Sequence, residues 1–271
     1  MTPSRDKLLE IARSAVEQGA ELLHTADRGT IRTKGDRDYV TGLDQRIQDD
    51  IRRYLADATP ECGFLGEELD DGSLDQNARY MWVLDPIDGT SNFIHGLPLC
   101  AVSLALVHND EPVIGVIGAP FLGLEYYAAA ERGAWRNDIP IRTSDTQTLG
   151  QAIVSIGDYA VGQEAELKNE RRIALTAALA ATVERVRMFG SAALDLAWVA
   201  EGRTDACVML SNKPWDTAAG VLIAREAGAV VLDSASRRHS LDSSDTIAAC
   251  PSIADQLMSL VNESIRCPRA T

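Results

Sequence analysis

Across residues 4–24, Leu8, Leu9, Ile11, Ala12, Ala15, Val16, Leu22 and Leu23 recur at helical spacing with charges between them, which predicts an amphipathic helix. A polar stretch through Thr33, Lys34, Gly35, Asp36 and Arg37 predicts a loop or hairpin, and from Asp44 the residues Ile47, Ile51, Tyr54 and Leu55 mark a second helix. After Pro60 the period changes. Short apolar runs at 81–84, 102–107, 113–119 and 126–130, separated by Asn109-Asp110, Pro120 and Gly123, predict a β meander. Beyond Thr148, strands at Ile153, Val186, 206–210, 230–232 and 247–249 alternate with helical stretches at 164–181, 192–201, 217–227 and 253–265. The change falls in the turn-rich stretch 142–150. The expected division is an N-terminal α+β domain, 1–145, and a C-terminal α/β domain, 146–271, packed closely without a long linker.

Composition adds limits. With 45% apolar and 24% charged residues the chain has the make-up of a compact globular protein. Its 26 Lys and Arg against 40 Asp and Glu leave a net charge of −14, which repels nucleic acid over most of the surface. An acidic protein acting on an acidic substrate needs local positive charge, and bound cations are its readiest source. The five cysteines, Cys62, Cys100, Cys207, Cys250 and Cys267, show no CxxC spacing, so neither a disulfide framework nor a zinc knuckle is expected. Asp6, Glu10 and Glu17 break the N-terminal apolar pattern, unlike a signal peptide, and no apolar run reaches about 18 residues, so the expectation is a cytoplasmic protein without a membrane partner. His24, His95, His108 and His239 form no metal-spaced cluster.

The candidate chemistry lies between Gly66 and His95. Gly66-Glu67-Glu68 is followed by Trp82-Val83-Leu84-Asp85-Pro86-Ile87-Asp88-Gly89-Thr90-Ser91-Asn92-Phe93. An apolar strand that ends in a carboxylate, turns at proline and supplies a second carboxylate before Gly-Thr places hard oxygen ligands at the strand's end, which suits Mg²⁺. Imidazole and thiolate are absent, against zinc or copper. Gly89 lets backbone amides approach an anion, and a helix opening near Asn92 and Phe93 would aim its N-terminus at phosphate. Taken alone, acid-Pro-x-Asp-Gly is equally a turn sequence. Together, acids at 67, 68, 85 and 88 repel one another unless a cation neutralises them. Asp-x-Asp phosphatases of the haloacid-dehalogenase type place a nucleophilic aspartate two residues before the second acid; here that position is Pro86, so attack by metal-activated water is expected in place of a phosphoaspartate.

These motifs, with Trp215-Asp216-Thr217-Ala218-Ala219-Gly220 downstream, resemble the signature of the inositol monophosphatase family over most of the chain. The resemblance implies a layered αβαβα sandwich of the inositol monophosphatase and fructose-bisphosphatase type, a homodimer, lithium sensitivity, and a site between the halves. It implies that roughly two or three Mg²⁺ are held by Glu67, Asp85, the Ile87 carbonyl, Asp88 and Asp216. Thr90 with Asp44 resembles the family's water-activating pair, Glu68 assists through the metal shell, and Lys34 matches a family lysine near the site.

Phe189-Gly190-Ser191-Ala192-Ala193-Leu194-Asp195 is similar to the family's substrate loop, which casts Gly89, Thr90, Gly190, Ser191, Ala192, Asp195, Lys213 and Asp216 as substrate or phosphate contacts. Ser191 also suits an N-cap and Asp216 a first-turn acid, whatever their chemistry. One departure bears on specificity. Where inositol-processing members carry a glutamate that grips ring hydroxyls, this chain has Met209, whose thioether cannot make those bonds. The expected activity is therefore Mg²⁺-dependent hydrolysis of a small soluble phosphate ester. Inositol 1-phosphate or a similar polyol phosphate leads, with histidinol phosphate, a 3′(2′),5′-bisphosphate nucleotide or a sugar phosphate as alternatives. A non-catalytic metal- and phosphate-binding homologue is the reading from another class.

Overall fold

The computed structural model describes residues 4–26, 31–35, 38–68 and 78–266, with only the backbone of 31–35, 38–40 and 266. Helix α1 (Arg5–Thr25) opens at Ser4, whose side chain accepts the Lys7 amide. The polar stretch after it is a hairpin of β1 (Ile31–Gly35) and β2 (Asp38–Thr41), antiparallel to each other. Helix α2 (Gly42–Ala58) starts in a capping box between Thr41 and Asp44, so Asp44 is fixed by the helix start itself.

The meander is larger than the sequence pattern suggests. Its seven-stranded sheet runs in chain order through β3 (Gly63–Gly66), β4 (Tyr80–Asp88), β5 (Ala101–His108), β6 (Glu111–Ala119), β7 (Leu124–Ala129), β8 (Ala134–Arg136) and β9 (Ile139–Ile141). Only the β3–β4 pair is parallel. Strands β3, β8 and β9 escape sequence reading because three or four residues are too few to show an alternation. Asn109-Asp110 and Asn137-Asp138 all have positive φ, matching the right-handed twist of the strands they join.

The second sheet has five strands in the order β11-β10-β12-β14-β13, namely β10 (Ile153–Ile156), β11 (Arg185–Arg187), β12 (Ala206–Met209), β13 (Val230–Leu232) and β14 (Thr246–Ala249). Strands β10, β11 and β12 are parallel; β14 is antiparallel to β12 and β13. Between the two sheets lie α5 (Ala192–Glu201) and α6 (Pro214–Glu226), and outside the second lie α4 (Ala165–Thr182) and α7 (Pro251–Arg266). Helix α6 begins before the expected Thr217 because Pro214 fits its first turn, where no N–H is needed.

Three apolar cores separate these layers. Trp82 and Leu84 face α1 and α2, while Val83 between them faces α5 and α6. On β12, Cys207 and Met209 face inward and Ala206 and Val208 face α4 and α7. The result is the αβαβα sandwich that the resemblance implies. The middle core contains both Leu65 and Ala248, so early and late parts of the chain share it. Among the described residues no helix is long and apolar enough to cross a membrane, and Cys62, Cys100, Cys207 and Cys250 are free; Cys267 lies outside the described residues.

Candidate active site

Asp85 and Asp88 lie at the carboxyl end of β4, but the chain does not turn there as the sequence suggests. Strand β4 continues through Pro86 to Asp88 and bulges, because Asp85 pairs with Ser103 and Asp88 with Ala101. Proline has no N–H to give a regular ladder, and a bulge is where a strand accommodates it. The Ile87 amide, freed by the bulge, donates to Asp85 Oδ1 at 3.0 Å. Asp88 reaches across to the start of α5: its carboxylate accepts the Ser191 hydroxyl and the amides of Ala192 at 3.1 Å and Ala193 at 3.0 Å.

Glu67 follows β3, with its amide donating to the Leu84 carbonyl at 3.2 Å. Buried Gln48 of α2 accepts the Glu68 amide at 2.9 Å, and a Cβ on Gly66 would stand 2.1 Å from the same Gln48 oxygen. A larger residue there would push the Gln48 amide off the Glu68 amide. Asp216 sits in the first turn of α6, with Oδ2 accepting the Lys213 amide at 2.7 Å.

Electrostatics ties these acids together. Burial pushes Asp85 well above the ordinary carboxyl range, and the charges of Glu67, Asp88 and Asp216, with a hydrogen bond to Glu67, push it further. Burial lifts Asp88 to about 6 against the opposing bonds from Ser191, Ala193 and Ala192. Asp216 is half-buried; desolvation, with the charges of Asp88 and Glu67, brings it to about 7. Among the described residues no three His, Cys, Asp or Glu side chains are closed into a ready ion cage. The acids stand instead within one another's field. This all-oxygen donor set, in which Asp85, Asp88 and Asp216 are raised above the ordinary carboxyl range, fits a hard divalent cation and disfavours zinc or copper.

The hydroxyl of Thr90 lies 2.9 Å from the Ile87 carbonyl and 3.4 Å from Asp44 Oδ1. Its single proton therefore favours Ile87 as the structure stands. Asp44 is fully buried, its other oxygen holding the Thr41 amide and hydroxyl. Gly89 has φ +87°, and a Cβ on it would meet the Leu99 carbonyl at 2.7 Å. It caps a short helix, α3 (Thr90–His95), which starts two residues before the expected Asn92. Glu68 is half-buried beside Glu67, and Lys213 is exposed. Lys34 falls on β1, and its side chain lies outside the described residues.

In the loop from Phe189 to Asp195, Gly190 takes φ +70° and Ser191 caps α5 by accepting the Leu194 amide. The amide of Ala192 faces Asp88 in this structure. Asp195 is buried beneath it; desolvation brings it to about 8. The Ser155 hydroxyl favours its charged form without meeting hydrogen-bond geometry. Met209 is 3% exposed and packs into the middle core.

Two positioning residues went unread in the sequence. Gln48 looks like one more polar residue of an amphipathic helix, yet it holds the Glu67-Glu68 turn. Asn92 donates to the carbonyls of Leu99 at 2.8 Å, Phe189 at 2.7 Å and Gly190 at 3.3 Å, joining α3 to the substrate-like loop. Only its place inside the Asp-Gly-Thr-Ser-Asn run could have signalled this. Asn92→Ala leaves those carbonyls without their donor, so a stability loss of about 1–3 kcal/mol and a fall in kcat/KM of about 10–100-fold are expected. Wild-type kinetics in the variant would remove Asn92 from the positioning set.

Comparison with known proteins identifies the family and the fold. The model of the inositol monophosphatase family matches residues 4–266. A protein named fructose-1,6-bisphosphatase/inositol-1-monophosphatase from Thermotoga maritima is 36% identical over 237 residues, 85% of each chain. An inositol-1-monophosphatase from Mesorhizobium japonicum is 34% identical over 97% of this chain and 98% of its own. The crystal structure of extragenic suppressor protein suhB from Bartonella henselae superposes with a TM-score of 0.88 at 31% identity, covering 95% of this chain and 99% of that one. Matched almost end to end by the family's model and by a relative that carries its name, the chain belongs to the inositol monophosphatase family and is a phosphoric monoester hydrolase.

Proposed function

We propose that the chain hydrolyses the phosphate ester of a small soluble polyol, inositol 1-phosphate or a close analogue, with Mg²⁺ as cofactor. The observation that carries this reading is the mutual field of Glu67, Asp85, Asp88 and Asp216, drawn from β3, β4 and α6 into one place. These acids, with the Ile87 carbonyl, would hold roughly two or three ions. Bound Mg²⁺ supplies neutralisation of the phosphate charge and Lewis-acid activation of water.

The chain's own groups do the rest. Thr90 holds the attacking water through its hydroxyl and passes a proton towards Asp44 Oδ1, which burial, with a further push from Glu67, makes readier to take it. Glu68, held through its amide by Gln48, assists beside Glu67. Gly89 and the loop of Gly190, Ser191 and Ala192 bound the phosphate side. Asp195, Lys213 and Asp216 face the leaving group. Met209 offers no hydroxyl-gripping carboxylate, which keeps histidinol phosphate, bisphosphate nucleotides and sugar phosphates as competing substrates. The free cysteines support a cytoplasmic setting, and family membership supports a homodimer sensitive to lithium.

The test is phosphate release from inositol 1-phosphate, histidinol phosphate, a 3′,5′-bisphosphate nucleotide and fructose 1,6-bisphosphate, with and without Mg²⁺. Mg²⁺-dependent release, fastest on the inositol ester and suppressed by lithium, is expected. Release that ignores Mg²⁺ would refute the mechanism, and a faster rate on another ester would reassign the substrate.

A further inference from the structure

The second sheet offers a crevice outside the acid cluster. Helix α4, which follows β10, lies on its outer face, and α5, which follows β11, lies on its inner face. With the order β11-β10-β12, the chain reverses direction across the sheet between β10 and β12. Open α/β sheets expose a ligand crevice at the carboxyl ends of such a strand pair. Here Ile156, Gly157, Tyr159, Arg172, Val208 and Leu210 line a cavity of about 10 Å³. That is room for one water-sized atom.

Arg172 is the unusual member. It is only 8% exposed, yet no carboxylate among the described residues pairs with it. One nitrogen, Nη2, donates to Ser211 Oγ at 2.7 Å. Burial lowers its pKa and no acid opposes this. A buried cation without a counter-ion is costly, and a guanidinium presents five donors in a fork suited to carboxylate or phosphate oxygens. Beside it, the Thr176 hydroxyl, which donates to the Arg172 main-chain carbonyl at 2.7 Å, pairs with that of Tyr159 at 3.1 Å and ties the cavity's rim to α4. Ser211 lies in the segment that continues through Lys213 to Asp216.

We propose that this crevice is a second anion site, in which one oxygen of a phosphate or carboxylate group enters the cavity and is gripped by Arg172 and Ser211. The group belongs either to the far end of a doubly charged substrate, a source that rests on the phosphatase reading, or to a separate small anion, which does not.

Sulfate serves as probe. The full chain is titrated with sulfate at constant ionic strength and without divalent cations, a condition in which the unneutralised acids repel anions from the catalytic cleft. A saturable rise in melting temperature is expected for the wild type, with an apparent affinity at least tenfold weaker in Arg172→Gln and several-fold weaker in Ser211→Ala. Ser211→Ala keeps the test decisive if Arg172→Gln fails to fold. A wild type without a saturable response, or matching titrations in wild type and variants, overturns the proposal. Where the titrations differ, KM is compared for a bisphosphate and a monophosphate of one sugar. A KM ratio changed tenfold or more by Arg172→Gln assigns the anion to the substrate, and an unchanged ratio assigns it to a free ion. If no ester is hydrolysed, the phosphatase reading fails while the sulfate titration still decides the site.

Discussion

Asp85→Asn is expected to cut Mg²⁺-dependent phosphate release by about two to three orders of magnitude and, in the same protein, to raise the melting temperature of the metal-free form. The two effects share one cause. Asparagine keeps the shape of the side chain and an oxygen for the Ile87 amide, but removes a carboxyl whose ionisation burial and the neighbouring acids oppose, so the unfolded chain no longer gains by releasing that proton. The relief is worth about 1–2 kcal/mol, or about 2–6 °C for a chain of this size. Asp88→Asn should behave differently. Three donors, from Ser191, Ala192 and Ala193, converge on that carboxylate, and an amide cannot accept them all. That variant is expected to lose both activity and about 1–3 kcal/mol of stability. Phosphate-release assays and thermal melts without cations check both; an Asp85→Asn protein that melts lower than wild type would make Asp85 a structural group.

Without divalent cations, the melting temperature should fall as pH rises from about 6.5 to about 8.5. When unfolded, Asp85, Asp195 and Asp216 ionise near the ordinary value of 3.8; when folded, Asp216 holds its proton to about 7, Asp195 to about 8, and Asp85 well beyond the ordinary range. The folded state therefore binds more protons across this window. Its stabilisation is full below the unfolded value and is lost as pH climbs through the folded values. Asp195, almost wholly buried, accounts for about 2 kcal/mol between pH 6.5 and 8. Buried His239, brought down to about 4 by desolvation and then by Arg225, acts in the opposite sense, but only between about 4 and 6.5. Above about 6.5 that opposing contribution is gone. Saturating Mg²⁺ needs the carboxylates ionised and neutralises them together, so it should flatten or reverse the slope. Equal slopes with and without Mg²⁺ would remove the case for a cation-dependent cluster.

Much of the fold was legible where an element carries its own signals. The sequence pattern and the structure give α5 the same bounds, 192–201, because Ser191 caps it and Gly202 ends it with φ +73°. Helices α4 and α7 were read within about two residues, since their apolar faces repeat for several turns. Helix α6 starts three residues before the apolar pattern at Thr217, and β3, β8 and β9 carry no readable pattern of their own. Such short pieces are stabilised by their neighbours more than by their own pattern.

The sequence by itself determined the kinds of group available: hard acids at 67, 85, 88 and 216, a proline that forbids a regular ladder, and small residues that permit close approach. Chemical type and local conformational preference are properties of single residues and their immediate neighbours, so they can be read along the chain. Only the tertiary structure decided that Asp88 would be held by the start of α5, that Gln48 and Asn92 would fix loops distant in sequence, and that Arg172 would be buried without a carboxylate. Those outcomes depend on which surfaces the packed layers bring together, because burial and long-range charge act through space, and the amino-acid order does not record the distances.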